Sequence, residues 1–331
     1  MANIAVVGAT GAVGVEVLDV LARRKFPIDS LRLFASEQSK DRVMNCGNGY
    51  ASVETLKEGC FDGIDVAIFS AGSEISRKWA RHAADGGCVV VDNSSAFRMD
   101  KDVPLVVSEI NGNDVERHKG IIANPNCTTA ITVMALYPLH CAFGLKWLIA
   151  STYQAASGAG QRGMDKLRDQ LSAIAQGHEP IVEFFPHQIA GNVFPQVGSF
   201  MPSGYTDEEE KMQNEGRKIM HHPTFKASVT CFRVPVFRAH TIAVSAEFER
   251  PVTKSEATAV LAGMPGLKVL DLPERSVYPT PVHATGEDDC FVGRIRKSMI
   301  SDNGLDLVVC GDQLRKGAAL NAVQIAERVI N

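Results

Sequence analysis

Residues 123–129 read ANPNCTT, a cysteine held behind a proline turn and ahead of two hydroxyl residues and an apolar run. Pro125 fixes its own φ and biases Asn124 towards an extended backbone. Asn126 is placed to cap a helix starting around Cys127. A thiol in the first turn of a helix feels its positive end, which favours thiolate and makes Cys127 a candidate nucleophile. The competing reading is a small buried residue, like Cys88 or Cys310 in their strands. A second run, RVPVFRAH (233–240), puts Arg233 and His240 at its two ends. Histidine could serve a thiol as general acid or base, and arginine could hold a carboxylate bidentately. Taken alone, His240 also fits a strand-end histidine and Arg233 a surface ion pair. The stretch STYQAASGAG (151–160) ends a strand in a polar, glycine-rich loop of the kind that lines sites.

Near the start, GATGAVG places Gly8, Gly11 and Gly14 after an apolar strand and at the opening of a helical pattern. Glycines there permit a tight turn, a close approach to a pyrophosphate, and free helix N–H groups aimed at it. The bare pattern also fits a turn with no ligand; its place at the first βα turn favours a dinucleotide. After the second strand the chain reads ASEQSK. Ser36 and Ser39 could donate to a 2′-phosphate and Lys40 could balance its charge, which favours NADP, while Glu37 argues for the ribose hydroxyls of NAD.

These residues need elements to carry them. The first half alternates strand and helix patterns: strands at 3–9, 31–36, 65–71, 88–94, 105–109 and 120–124, with helices at 14–24 and 75–86. Solid apolar strands separated by amphipathic helices predict a doubly wound parallel sheet of the Rossmann type. Beyond Cys127 the pattern changes to strands at 147–157, 228–236 and 240–249, helices at 163–176 and 207–220, and an irregular Gly- and Pro-containing stretch at 179–206. Residues 306–330 read as strand, turn and closing helix. The expected domains are 1–126, completed by a C-terminal helix at 314–331, and 127–313. His221 and His222, ahead of Pro223, read as surface residues at a helix end.

The 331 residues carry a net charge of −4, which leaves no electrostatic footprint for nucleic acid. The most apolar long segment, 128–150, contains Pro138, His140 and Lys146, so no membrane span is expected. Eight cysteines occur without a CxxC pair or zinc spacing, so no metal site is expected. Free cysteines in a chain of this length suit a reducing compartment, and the start MANIAVVG has no basic leader pattern. The expectation is a soluble, cytoplasmic protein.

Taken in order, GATGAVG, DNSSAFR (92–98), NPNCTT (124–129), STYQAASGAG, EEEKM (208–212), RVPVFRAHT (233–241) and FVGRIRK (291–297) resemble aspartate-β-semialdehyde dehydrogenases along nearly the whole chain. The resemblance implies NADPH-dependent reductive dephosphorylation of L-aspartyl-4-phosphate to L-aspartate-4-semialdehyde, on the route to lysine (through diaminopimelate), threonine, methionine and isoleucine. It also implies a second α+β domain with a mixed sheet that carries catalysis and dimerisation. Carried over by position, Cys127 is the nucleophile, His240 the acid/base and Gln154 the group that orients the acyl intermediate. Arg233 would take the substrate α-carboxylate and Glu208 its amino group. Arg98 and Lys211, with Asn126 nearby, would take the phosphate. Thr10, Gly11, Ala12 and Val13, the loop after Ser36, Ser157, Gly158 and Gln313 would touch the cofactor. A homodimer is implied, with a tetramer as the larger option. Two positions depart from the family: Gln38 stands where an arginine is common, and Thr128 replaces a serine. N-acetyl-glutamyl-phosphate reductase shares the fold, the cysteine and the acyl phosphate, but would have no use for an acidic residue reading a free ammonium. A catalytically silent NADP-binding relative is the third reading, against which stand Cys127, His240, Arg98 and Arg233.

Overall fold

The computed structural model describes residues 1–47 and 49–330. They form two compact units, Met1–Asn126 with Ala318–Asn331, and Cys127–Gly317.

The first unit holds β1 (Ala2–Val7), α1 (Ala12–Arg23), β2 (Ile28–Phe34), β3 (Val43–Asn45), β4 (Tyr50–Glu54), β5 (Val66–Phe69), α2 (Ser73–Asp85), β6 (Val89–Asp92), the short α3 (Ser108–Asn111) and β7 (Ile121–Ala123). Its sheet runs β3-β4-β2-β1-β5-β6-β7, parallel except for the antiparallel β3–β4 edge. Leaving β3 aside, this is the strand order of a dinucleotide fold, and the order reverses between β1 and β5. All four residues of β5 are buried, as a parallel strand covered on both faces requires.

Residues 105–109, expected as a strand, make only a single bridge, Leu105 to Ala123. The Asn111 side chain accepts from Val107 N–H and donates to Leu105 O, which turns the chain into α3 instead. The β3–β4 hairpin was not expected, because two of the three β3 residues are exposed and the strand lacks a long apolar run.

The segment before Cys127 is held by a buried amide network. Asn321 donates to Val106 O (2.7 Å) and to Asn124 Oδ1 (2.6 Å) and accepts from Ser108 N–H. Asn124 in turn donates to Asn93 Oδ1, and Arg98 donates to the carbonyls of Asn124 and Asn93.

The second unit begins with α4 (Cys127–Phe143), followed by β8 (Leu145–Gln154), α5 (Gly160–Ala175), α6 (Asp207–Ile219), β9 (Lys226–Arg233), β10 (His240–Phe248), α7 (Lys254–Ala262), β11 (Leu267–Val269), α8 (Pro281–Ala284), β12 (Cys290–Lys297) and β13 (Gly304–Gly311). Its mixed sheet runs β11-β12-β13-β10-β8-β9. The helix α4 is buried from Thr128 to Leu136, and it packs against β8, β10, β12 and β13 as well as α6 and α7. An all-round apolar helix is what such a central position needs. No helix among the described residues is long and apolar enough to cross a membrane.

The end of the chain departs from the expected boundary at 313/314. After β13 a π-helical turn spans Arg315–Ala319, and α9 (Leu320–Ile330) follows. Arg315 pairs with Asp288, and a Cβ on Gly317 would lie 2.8 Å from Cys127 Cβ, so both residues belong to the second unit. From Ala318 onwards the chain belongs to the first unit, where α9 packs on α1, β5 and β6 and Arg24 grips Glu327 with two bonds of 2.7 Å. Asn331, the last residue of the expected helix, lies outside the described residues.

His222 is not the surface residue expected. Its ring stacks on His140 at 4.4 Å between centroids, and the two rings hold the backbone of one residue: His140 Nδ1 accepts from Leu145 N–H, and His222 Nε2 donates to Leu145 O. Burial, and then His222, lower the affinity of His140 for a proton, while Glu249 opposes them. A histidine depressed in the fold contributes stability that is full above its unfolded pKa of about 6.5 and is lost as pH falls below it. The melting temperature should therefore drop between about pH 7.5 and about pH 5.5, and the drop should be smaller in His140→Asn, as followed by calorimetry.

Candidate active site

In the second unit β8 and β9 run parallel, with Gln154 paired to Arg233, while β10 runs antiparallel to β8 with Thr241 opposite Tyr153. This register brings the C-terminal ends of β8 and β9 beside the start of β10. Gln154, Arg233 and His240 therefore meet at one edge of the sheet, and α4 presents Cys127 there as its first residue. Cys127 Sγ lies 3.5 Å from His240 Nε2.

Cys127 differs from the buried thiols of the strands and their flanks. Burial pushes Cys88 and Cys231 up to about 12 and Cys310 up to about 11, so these stay protonated. Cys127 is only part-buried. Its neighbour Thr128 has its hydroxyl 3.9 Å from Sγ, so the threonine keeps a polar group beside the thiol.

His240 is wholly buried, and burial together with the Arg233 cation pushes its imidazole down to about 3. Its tautomer follows from one contact: Nδ1 accepts from Ala155 N–H at 3.1 Å. A ring nitrogen that accepts carries no proton, so neutral His240 holds its hydrogen on Nε2, facing Sγ. The carbonyl of Ala155, in the next peptide group, accepts from Arg233 Nη1 at 2.6 Å. Burial lowers the hold of Arg233 on its proton, and Glu208 opposes that.

Gln154 is oriented from both ends. Its Oε1 accepts from Thr152 Oγ1 at 2.9 Å, and its Nε2 donates to Glu208 Oε1 at 3.1 Å. Glu208 also accepts from Lys211 (3.0 Å), which donates to Asp207 as well (2.8 Å). Burial alone would weaken the Lys211 ammonium, but the two carboxylates hold it above the ordinary lysine range. Asp207, Glu208 and Lys211 rise from α6, whose four consecutive acids are stabilised by the helix N-terminus and a Thr206–Glu209 capping box.

Two glycines make room for this packing. A Cβ on Gly158 would sit 2.8 Å from Arg233 Nη1 and 3.2 Å from the His240 ring, and Gly317 is in the same position towards Cys127. Ser157 accepts from Gln313 Nε2, whose Oε1 accepts from Ala239 N–H. Ala239 itself has φ +71°, a left-handed conformation that costs a non-glycine residue about 1–3 kcal/mol. Ser157 and Gly158 were signalled by the glycine-rich loop 151–160, and their cofactor role and that of Gln313 only by family resemblance. Thr152, Arg238, Asp312 and Gly317 were missed.

In the first unit the glycine turn is built for a phosphate. Gly8 has φ +84°, and a Cβ there would meet the Ser70 carbonyl at 2.7 Å; a Cβ on Gly14 would meet Gly8 O at 2.2 Å. The N-cap of α1 is Gly11, with no side-chain cap and no acid in the first turn, so the N–H groups of Ala12, Val13 and Gly14 open towards the turn at the point where the strand order reverses. Thr10 Oγ1 lies 3.3 Å from Ser39 Oγ, which ties the loop after β2 to this turn. Ser36 opens the short 3₁₀ turn Glu37–Ser39, and Lys40 pairs with Glu37 at 3.3 Å. Of the two loop serines, Ser39 is the one held at the glycine turn. Arg98 and Asn126 are both buried in this unit. No cluster of metal-ligating side chains occurs among the described residues.

Comparison with known proteins agrees with this geometry. Residues 3–118 match the family model "Semialdehyde dehydrogenase, NAD binding domain", and residues 136–316 match "Semialdehyde dehydrogenase, dimerisation domain". The aspartate-semialdehyde dehydrogenase of Aquifex aeolicus (strain VF5) is 49% identical over 99% of this chain and 98% of its own. The crystal structure of aspartate semialdehyde dehydrogenase II complexed with ASA from Vibrio cholerae superposes with a TM-score of 0.97 at 41% identity, over 100% of this chain and 98% of that one. The aspartate semialdehyde dehydrogenase with NADP from Candida albicans follows at a TM-score of 0.76 and 25% identity, over 100% and 98%. With both family models matched and close relatives similar from end to end, the chain belongs to the aspartate-semialdehyde dehydrogenase family.

Proposed function

We propose that this protein is an NADP-dependent aspartate-semialdehyde dehydrogenase, which reduces L-aspartyl-4-phosphate to L-aspartate-4-semialdehyde and releases phosphate. The observation that carries the reading is the Cys127–His240 pair at 3.5 Å, set beside a buried Arg233 and a carboxylate, Glu208, reached through Gln154.

The Cys127 thiolate attacks the acyl phosphate carbon. A thioester S–C bond forms, and the C–O bond to phosphate breaks with its electron pair leaving on phosphate. When bound, NADPH supplies the hydride that reduces this carbon. The neutral His240 keeps its Nε2–H within reach of the carbon that Sγ binds, so it donates to the oxygen as negative charge develops there. Collapse of that oxyanion forms the aldehyde and returns the electron pair to Cys127 as thiolate. No step requires His240 to give up its proton completely, which would leave an imidazolate. Its part is thus that of a fixed donor, narrower than the acid/base role expected. Gln154, locked by Thr152, orients the acyl group. Arg233 takes the α-carboxylate and Glu208 the ammonium of the substrate, which favours aspartyl phosphate over an N-acetylated analogue. Lys211 serves the phosphate with the donor that its two carboxylates leave over.

Within the first unit, Arg98 and Asn126 are given to the phosphate. Gly8, Thr10, Gly11, Ala12, Val13, Gly14, Ser36 and Ser39 are given to the cofactor, and Ser157, Gly158 and Gln313 contribute to it from the second. The domains are read accordingly: a cofactor domain of 1–126 with the C-terminal helix, and a catalytic and dimerisation domain between them. The assembly is read as a homodimer. The outer face of the mixed sheet leaves Ile149 and Tyr153 exposed at 51% and 41%, with Tyr153 stacked on Phe232. An apolar sheet face of this kind supports pairing with a second copy. The eight free cysteines suit a cytoplasmic setting.

Phosphate-dependent oxidation of L-aspartate-4-semialdehyde, followed at the NADPH absorbance band, tests the function. Turnover should be robust with NADP, weaker with NAD, and lost in Cys127→Ser; activity on the N-acetyl-glutamate analogue alone would move the assignment. His240→Ala should lower kcat by about 10²-fold, and His240→Gln, which keeps an N–H donor, by about tenfold less. Because burial and then Arg233 push the His240 imidazole far down, kcat/KM should show no limb from it around the ordinary histidine range of about 6.5. A limb there that disappears in His240→Gln would restore the proton-transfer role.

A further inference from the structure

Six non-glycine residues among those described have positive φ: Lys25, Asp41, Ala239, His221, Ser276 and Arg294. Five of them lie in exposed loops or bulges, where strain relaxes easily. Ala239 alone is fully buried, and it directly precedes His240. Its methyl packs among Ala284, Cys310 and Phe291, so the residue is confined on its side-chain face as well. A strained, buried backbone next to a reacting group persists only where its surroundings over-determine it.

The restraint comes from the two residues that follow β13. Gln313 Oε1 accepts from Ala239 N–H at 2.8 Å. Asp312, with no exposed surface, accepts from Arg238 Nε at 2.6 Å. The same carboxylate accepts from Gly286 N–H (2.7 Å) and Leu314 N–H (2.9 Å), so it cannot swing aside to follow Arg238. Residues 238 and 239 are thereby clamped by consecutive residues of another strand's end, and His240 pairs with Gly311 in the register just before them. The direction of the His240 ring, towards Ala155 N–H and Cys127 Sγ, depends on that clamp.

We propose that Asp312, acting through Arg238, is a positioning residue: it holds Ala239 in its left-handed conformation and so aims His240 at Cys127. The proposal rests on the catalytic reading of the Cys127–His240 pair. A buried ion pair that merely adds stability would look the same in a thermal melt. The distinction lies in what glycine does at position 239, since glycine adopts φ near +71° without strain and needs no clamp.

The test compares parent, Asp312→Asn, Ala239→Gly and the double variant, with kcat, KM, and the pH dependence of Cys127 alkylation by iodoacetamide. Asp312→Asn should lower kcat at least about tenfold. KM for aspartate semialdehyde should stay within a few-fold, and the midpoint of alkylation should move to higher pH as the Nε2–H donor drifts from Sγ. Ala239→Gly added to Asp312→Asn should recover a substantial part of both losses. A kcat within about twofold of parent, a loss confined to KM, or no recovery with glycine would each overturn the proposal. Should Asp312→Asn fail to fold, Arg238→Lys and its glycine double variant are read by the same criteria. Alkylation needs no turnover, so an inactive parent would count against the functional reading, while an unmoved alkylation midpoint would count against the clamp.

Discussion

The backbone N–H and C=O of Ala155 set the terms for everything around them. Its N–H occupies His240 Nδ1 and its carbonyl occupies Arg233 Nη1. A backbone N–H cannot turn into an acceptor, so an imidazolium at His240 would have to break that bond and charge a site without solvent. The histidine therefore stays neutral, and the one hydrogen it owns points at the cysteine. Arg233, held by the carbonyl of Ala155, adds a cation that further disfavours the imidazolium. One main-chain unit thus fixes a tautomer, a protonation state and the orientation of the cation beside them.

That unit sits where it does because of strand register. Ala155 is the first residue beyond β8, and β8 is flanked by β9 and β10. Ala156 and Ser157 continue by bonding to the carbonyls of Val236 and Phe237, so the segment between β9 and β10 is kept alongside. A shift of one residue in either pairing would turn side chains to the opposite face and separate Gln154, Arg233 and His240. The helix α4 then supplies the thiol from its first residue, which is why it is buried all round: its position is set by packing on several strands at once.

The sequence made legible what is carried by side-chain type and by unbroken periodicity. Parallel strands such as Val66–Phe69 read as solid apolar runs, and Cys127, Arg233 and His240 announce their chemistry by identity. The strand Cys290–Lys297 was missed because a bulge between Gly293 and Arg296, with Arg294 at φ +53°, breaks its alternation. Residues 105–109 misread as a strand because the decisive group is the Asn111 side chain, which takes up the Leu105 and Val107 backbone. The Ala155 peptide left no trace in the sequence at all, since every residue but proline carries the same N–H. Asp312 and Arg238 are 74 residues apart, and nothing in either local stretch pairs them.

Small residues explain how so many charges fit around one thiol. Gly158 lets Arg233 and the His240 ring approach, Gly317 lets the chain pass against Cys127, and Ala239 turns within a small buried cluster with Ala284 and Cys310. With the imidazole neutral, Arg233 and Lys211 are the cations nearest it on β9 and α6, and Lys211 is already balanced by Asp207 and Glu208. The field that an acyl oxygen meets as it gains charge therefore comes from donors and dipoles set in place before the reaction, with little left to reorganise. Such a site works by preorganised electrostatics, and its sensitivity lies in backbone placement more than in the titration of any one side chain.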